Sequence, residues 1–130
     1  MTRFTAPEPP RDALPGEPID LGHLLRQTSG DRGVLIEVLT LYHTLAPRYL
    51  NTLEHSTTIA ALQRNLHQLK SAAAGIGAWG VQARIRQIET ALDEGRALDP
   101  EWIEDLAIAV EEGVRFVEHT LETGRGLPVF

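Results

Sequence analysis

From Ile19 to Leu121 the large apolar residues recur at steps of three and four, and no stretch alternates apolar with polar residues over a sustained length. Such steps place side chains on one face of an α-helix, whereas a half-buried strand requires alternation. The fold class expected is therefore all-α, with each helix carrying one apolar stripe that a neighbour must cover. Capping residues, prolines and glycines divide the pattern into five segments. A short one covers residues 20–28 and ends at Ser29 and Gly30. The second, residues 31–54, opens on Asp31, a side chain suited to capping free amides, and aligns Leu35, Val38, Tyr42, Leu45, Tyr49 and Leu53. Pro47 lies inside it and predicts a kink near residues 43–47, because proline has no amide proton and its ring crowds the preceding turn. The third, residues 57–74, aligns Ile59, Leu62, Leu66, Leu69 and Ala73 with Ile76, and Gly75 and Gly77 are expected to interrupt it in a tight corner. The fourth, residues 78–94, aligns Val81, Ile85, Ile88 and Leu92 and stops at Gly95. The fifth opens on Asp99, Pro100 and Glu101, a cap, a first-turn proline and an early acid. It carries Ile103, Leu106, Val110, Val117 and Leu121, and Gly124 closes it. Four long amphipathic segments with short connections predict an antiparallel up-down four-helix bundle with a short extra N-terminal helix.

That bundle accounts for residues 19–124, the expected domain. Residues 1–18 hold five prolines and few large apolar side chains, so they are expected to form a flexible tail. Residues 125–130 are expected to form a C-terminal tail. A chain of 130 residues suits one domain, and a bundle that covers its own apolar faces is expected to be a monomer. There is no cysteine, which excludes disulfides, iron–sulfur clusters and thiolate zinc sites. The longest wholly apolar run, residues 106–110, falls far short of the roughly 20 residues a membrane span needs. The N-terminus lacks the apolar core of a signal peptide, so the expected location is the cytoplasm, without a membrane partner. A net charge of −6 argues against nucleic acid, whose affinity rests on neutralised phosphates.

The third segment carries the chemistry. With His67 set at 0° and each residue turning about 100°, Leu62, Leu66, Leu69 and Ala73 centre near −130°, so His67 points away from the core. Ala60, Gln63, Arg64, Lys70, Ser71 and Ala74 all fall within about 60° of His67. Ala60, Ser71 and Ala74 are short and leave the ring open to a docking protein, and Gln63 and Arg64 border the same face. Lys70 sits one turn on and brings an ammonium beside the ring. Between Glu54 and Glu89 there are 34 positions without an acid, holding Arg64, Lys70, Arg84 and Arg86. A cationic region in an acidic chain attracts a phosphoryl group or an acidic partner. A neutral imidazole has one ring nitrogen free to attack, while the other needs an acceptor to fix its tautomer. Glu89, at the edge of the fourth segment's buried face, is a candidate for that acceptor. No carboxylate cluster lies on this face, so no metal site or other cofactor is expected in this chain, and a metal ion would come from the partner.

Residues 66–95 resemble the histidine-containing phosphotransfer (HPt) domain of multistep two-component signalling. The resemblance rests on His67, Leu69 and Lys70, the small residues at 71–75, Gly77 and Ala78, then Ile88 and Glu89. Upstream, Ile19 and Asp20, Gly30 and Asp31, and a long helix containing a proline are similar too, so it extends over about residues 19–122. It implies a four-helix bundle whose histidine is phosphorylated at Nε2 by a receiver-domain aspartyl phosphate, before transfer to another receiver. By residue, it implies His67 as phosphoryl carrier, Lys70 as charge stabiliser and Glu89 as acceptor from Nδ1. The partners implied are response-regulator receiver domains, which would bring Mg2+, and a hybrid histidine kinase. Ser71 departs from the glycine usual at its position.

Other readings are weaker. A docking-only relative that binds receiver domains without phosphorylation is opposed by the intact His67 and Lys70. The dimerising domain of a sensor kinase usually has an acid directly after its histidine and a proline soon after, whereas Gln68 follows His67 and the next proline is Pro100. A metal- or haem-binding bundle lacks inward-facing ligand sets. His23, His43, His55 and His119 match no metal-ligand spacing and are read as surface or cap residues. Trp79 and Trp102 stand near helix starts and are expected against the bundle ends.

Overall fold

The computed structural model describes residues 17–129. Of the tail expected at residues 1–18, all but Glu17 and Pro18 lies outside the described residues, as does position 130. Five helices follow in order: α1 (Leu21–Gln27), α2 (Arg32–Glu54), α3 (Ile59–Ile76), α4 (Trp79–Asp93) and α5 (Pro100–Thr123). Among the described residues there is no strand. Helix α2 packs on α3, α3 on α4, α4 on α5, and α5 returns to α2, while α1 lies against α3. Short connections reverse the chain each time, so the four long helices form an antiparallel bundle with α1 as the extra element.

The caps follow from residue chemistry. Asp31 accepts from the Val34 amide at 3.1 Å and Asp99 from the Glu101 amide at 2.9 Å, each satisfying a first-turn donor that has no helical partner. Gly124 closes α5 in the left-handed conformation. Gly77 does the same for α3 at φ 81°, but Gly75 remains helical, so one glycine rather than two makes this corner. Helix α2 runs unbroken through the exposed Pro47. One turn before it, His43 Nε2 lies 2.9 Å from Glu118 Oε1 and links α2 to α5.

The core joins Leu35, Leu39, Tyr42, Ala46 and Leu53 of α2 to Leu66, Leu69, Ala73 and Ile76 of α3. Val81, Ile85 and Ile88 of α4 and Leu106, Val110 and Val117 of α5 complete it. The stripe on α2 is turned from its expected centre. Leu39 and Ala46 are fully buried, whereas Val38, Leu45 and Tyr49 are only half-buried. A helix wedged between two neighbours buries the side chains that face between them, and those on the flank remain open. Ile59, expected inside, is 65% exposed, because it begins α3 before the helix has come under its neighbours.

Helix α1 is clasped to the corner after α3. The Asp20 amide donates to the Gly77 carbonyl at 2.9 Å. Its carboxylate accepts from the His23 amide and from the Trp79 indole, both at 3.0 Å, and the His23 ring meets Trp79 edge-on. Desolvation pushes the Asp20 carboxyl up, but the Trp79 and His23 hydrogen bonds and the Arg26 charge outweigh it and hold the group below its ordinary value. At the other end of the chain, residues 125–129 fold back. Arg32 donates to the Pro128 carbonyl, Leu127 packs on the core, and Gly126 lies against Leu21.

Two outcomes follow for stability. A carboxyl held low contributes above its unfolded value of about 3.9 and loses that contribution as pH falls through its folded value. Asp20→Asn should therefore melt below the wild type at neutral pH, by roughly 1 kcal/mol, with the gap closing in melts below about pH 4. At the corner, a Cβ on Gly77 would stand 3.0 Å from the Asp20 backbone oxygen at a positive φ, while one on Gly75 would meet nothing within 4 Å. Gly77→Ala should lose about 1–2 kcal/mol or more in denaturant titration, and Gly75→Ala should gain about 0.5–1 kcal/mol.

Candidate functional site

Thr58 starts α3, its hydroxyl accepting from the Ala61 amide at 3.1 Å. The rotation of the helix is then set by Leu66, Leu69 and Ala73, each with no exposed surface. His67 follows Leu66 directly, so the 100° step carries it out of the core, and its side chain is exposed. Among the described residues the ring has no hydrogen-bond partner. Ala60, Gln63, Arg64 and Ser71 are exposed around it, and Ala74 is half-buried. The candidate docking residues thus share one face with the imidazole.

Lys70 and Glu89 are brought together, though not in the arrangement expected. Lys70 Nζ donates to Glu89 Oε1 at 2.8 Å, and both side chains are about three-quarters covered. The expected bond from His67 Nδ1 to Glu89 is absent from the described residues. An ammonium presents a full charge to the carboxylate, whereas a neutral imidazole offers a single dipolar N–H, so the lysine takes the acceptor first. Arg64 and Arg84 are exposed, and Arg86 is half-buried on α4. His43 pairs with Glu118, and His55 caps α2 with Nδ1 2.8 Å from the Asn51 carbonyl. No group of three potential metal-ligating residues gathers among the described residues.

One feature beside the histidine was missed in the sequence. Val38, Leu41, Tyr42, Leu45 and Tyr49 of α2 face Ser71, Ala72 and Gly75 of α3 across an apolar groove of about 180 Å³. Leu41 is 57% exposed at its rim. Gly75 and the small residues of α3 leave the groove open, and Ser71, one turn after His67, joins it to the ring. The available signal was Leu41, a large apolar residue off the main stripe of α2. Tyr42 forms the inner wall. Its hydroxyl is buried and has no partner among the described residues, and burial pushes its pKa well above the usual phenol value, keeping the proton on the oxygen.

The arrangement offers a solvent-facing nucleophile with a cation three residues away and an apolar surface adjoining it. The family model for the Hpt domain matches residues 37–115, more than half of the chain. No curated protein and no solved structure matches it significantly.

Adjacent positions on α3 should respond oppositely to substitution. His67→Gln should leave stability within about 0.5 kcal/mol of the wild type, whereas Leu66→Ala should cost about 2–5 kcal/mol. Tyr42→Phe should be neutral or stabilising, because it removes a buried hydroxyl that nothing satisfies. Chemical denaturation of the three variants checks these outcomes.

Proposed function

The chain belongs to the Hpt domain family, whose members are phosphocarrier modules of two-component phosphorelays rather than enzymes, and we propose that His67 is the residue that carries the phosphoryl group. The observation that carries the reading is the exposed imidazole in mid-helix, flanked by Ala60, Ser71 and Ala74 and adjoining the apolar groove. A receiver-domain aspartyl phosphate approaches that face. The lone pair on Nε2 attacks phosphorus, the bond between phosphorus and the aspartyl oxygen breaks, and its electron pair leaves with the carboxylate. The ring proton remains on Nδ1. Transfer to a second receiver runs the same step in reverse.

Such a reaction asks mainly for alignment and charge neutralisation. Lys70 supplies positive charge from this chain, and Mg2+ is assigned to the receiver, where it would neutralise the acyl phosphate. Arg64 and Gln63 border the contact, while Leu41 and Tyr49 offer apolar area to the docking partner. The relay reading names a hybrid histidine kinase as the upstream source, a cytoplasmic location and a monomeric carrier. Among the described residues no helix is long and apolar enough to cross a membrane.

Mixing the chain with a phosphorylated receiver domain tests the proposal. Intact-mass measurement should find one added phosphoryl group, labile to acid, and His67→Gln should gain none. Binding of the receiver without any gain in mass would instead make the chain a docking module. Leu41→Asp should weaken receiver binding roughly tenfold, the loss of one apolar anchor, while leaving the melting curve nearly unchanged.

A further inference from the structure

The lysine that would serve the phosphoryl group is already engaged. Lys70 Nζ rests on Glu89 Oε1 at 2.8 Å, although Lys70 is rooted on α3 one turn from His67 and Glu89 projects from α4. Both side chains are largely covered, so water screens the pair less than it would an exposed one. Glu89 thus offsets the charge of Lys70 while His67 is unmodified.

Resting on the reading of His67 as carrier, we infer that Lys70 works from two positions, held by Glu89 before transfer and moved onto the phosphoryl oxygens after it. A four-carbon stem lets the ammonium swing without moving the helix. A bound phosphoryl group carries close to two negative charges and three strong acceptors, against one charge on the carboxylate. The exchange is therefore driven by modification itself. It leaves the Glu89 carboxylate without the ammonium at the moment the imidazole gains an electron-withdrawing group and its Nδ1 proton becomes a stronger donor. Glu89 then becomes the Nδ1 acceptor only in the phosphorylated state, and in the resting state it is a positioning residue that acts on transfer through Lys70.

The test uses the full chain and phosphoramidate, a small donor that removes receiver docking from the measurement. The nitrogen–phosphorus bond of the donor breaks, the Nε2–phosphorus bond forms, and ammonia departs with its proton. Rates of mass gain are compared for wild type, Glu89→Gln, Lys70→Gln and the double variant, with His67→Gln as control and melting curves to verify folding. Glu89→Gln keeps an acceptor oxygen but releases the lysine, so it should accelerate phosphorylation about two- to fivefold, the range carried by a partly exposed ion pair. In the Lys70→Gln background the same change should alter the rate by less than about 1.5-fold, since the effect travels through the lysine. The ammonium signal of Lys70 in a nitrogen-15 spectrum should shift on phosphorylation, and its unphosphorylated position should change in Glu89→Gln. Equal acceleration with and without Lys70, slowing by Glu89→Gln, or an ammonium signal unmoved by phosphorylation would overturn the exchange while leaving the carrier reading intact. No His67-dependent mass gain from either donor would overturn the carrier reading and the exchange together.

Discussion

The rotation of α3 about its own axis is the constraint on which the remaining features depend. Leu66, Leu69, Ala73 and Ile76 are buried between α2 and α4, and each large apolar side chain withdrawn from water contributes on the order of 1.5–3 kcal/mol. A rotation that tucked His67 inward would expose several of them together. The imidazole is held outward by what lies behind it, since among the described residues it makes no hydrogen bond of its own. The same rotation aligns Ala60, Ser71 and Ala74 with the ring and brings Lys70 within reach of α4. Openness of the face and availability of the cation are thus two results of one packing decision.

That rotation was readable in the sequence because local periodicity determines it. The spacing of Leu62, Leu66, Leu69 and Ala73 sufficed to orient His67, and Asp31, Asp99 and Gly124 marked helix ends through chemistry that operates within a few residues. What escaped reading depends on two helices at once. The turn of α2 toward Leu39 and Ala46 reflects its position between α3 and α5. The apolar groove needs Leu41 and Tyr49 on one helix and Gly75 on another. Gly75 looked like a corner because glycine disfavours helices, but tertiary packing overrides a propensity of about 1 kcal/mol. The Lys70–Glu89 pair is hidden from the sequence for a related reason. Two donors on α3, His67 and Lys70, compete for one carboxylate on α4, and only the three-dimensional placement decides between them.

The charge pattern gains meaning from the same geometry. The acid-free run from residues 55 to 88 covers α3 and most of α4. These helices are neighbours, so Arg64, Lys70 and Arg84 belong to one side of the ring, and the acids of α5 lie diagonally across from α3. Glu89 is the first acid after that run, and the structure pairs it with Lys70, three residues after the histidine. The positive run is therefore locally neutralised beside His67. The result is a surface whose cations lie around the histidine while the lysine one turn beyond it is held by a carboxylate of the neighbouring helix.

The back-folded segment after α5 has a geometric consequence for anything joined to this domain. Gly126 touches Leu21, and Asp20 touches Gly77, so both ends of the described chain emerge at a single pole of the bundle. His67 stands ten residues before Gly77 on α3, about 15 Å along the axis at 1.5 Å per residue. A chain joined to either end of the described residues would leave from that pole, and the face that carries His67 would stay clear of its own leash.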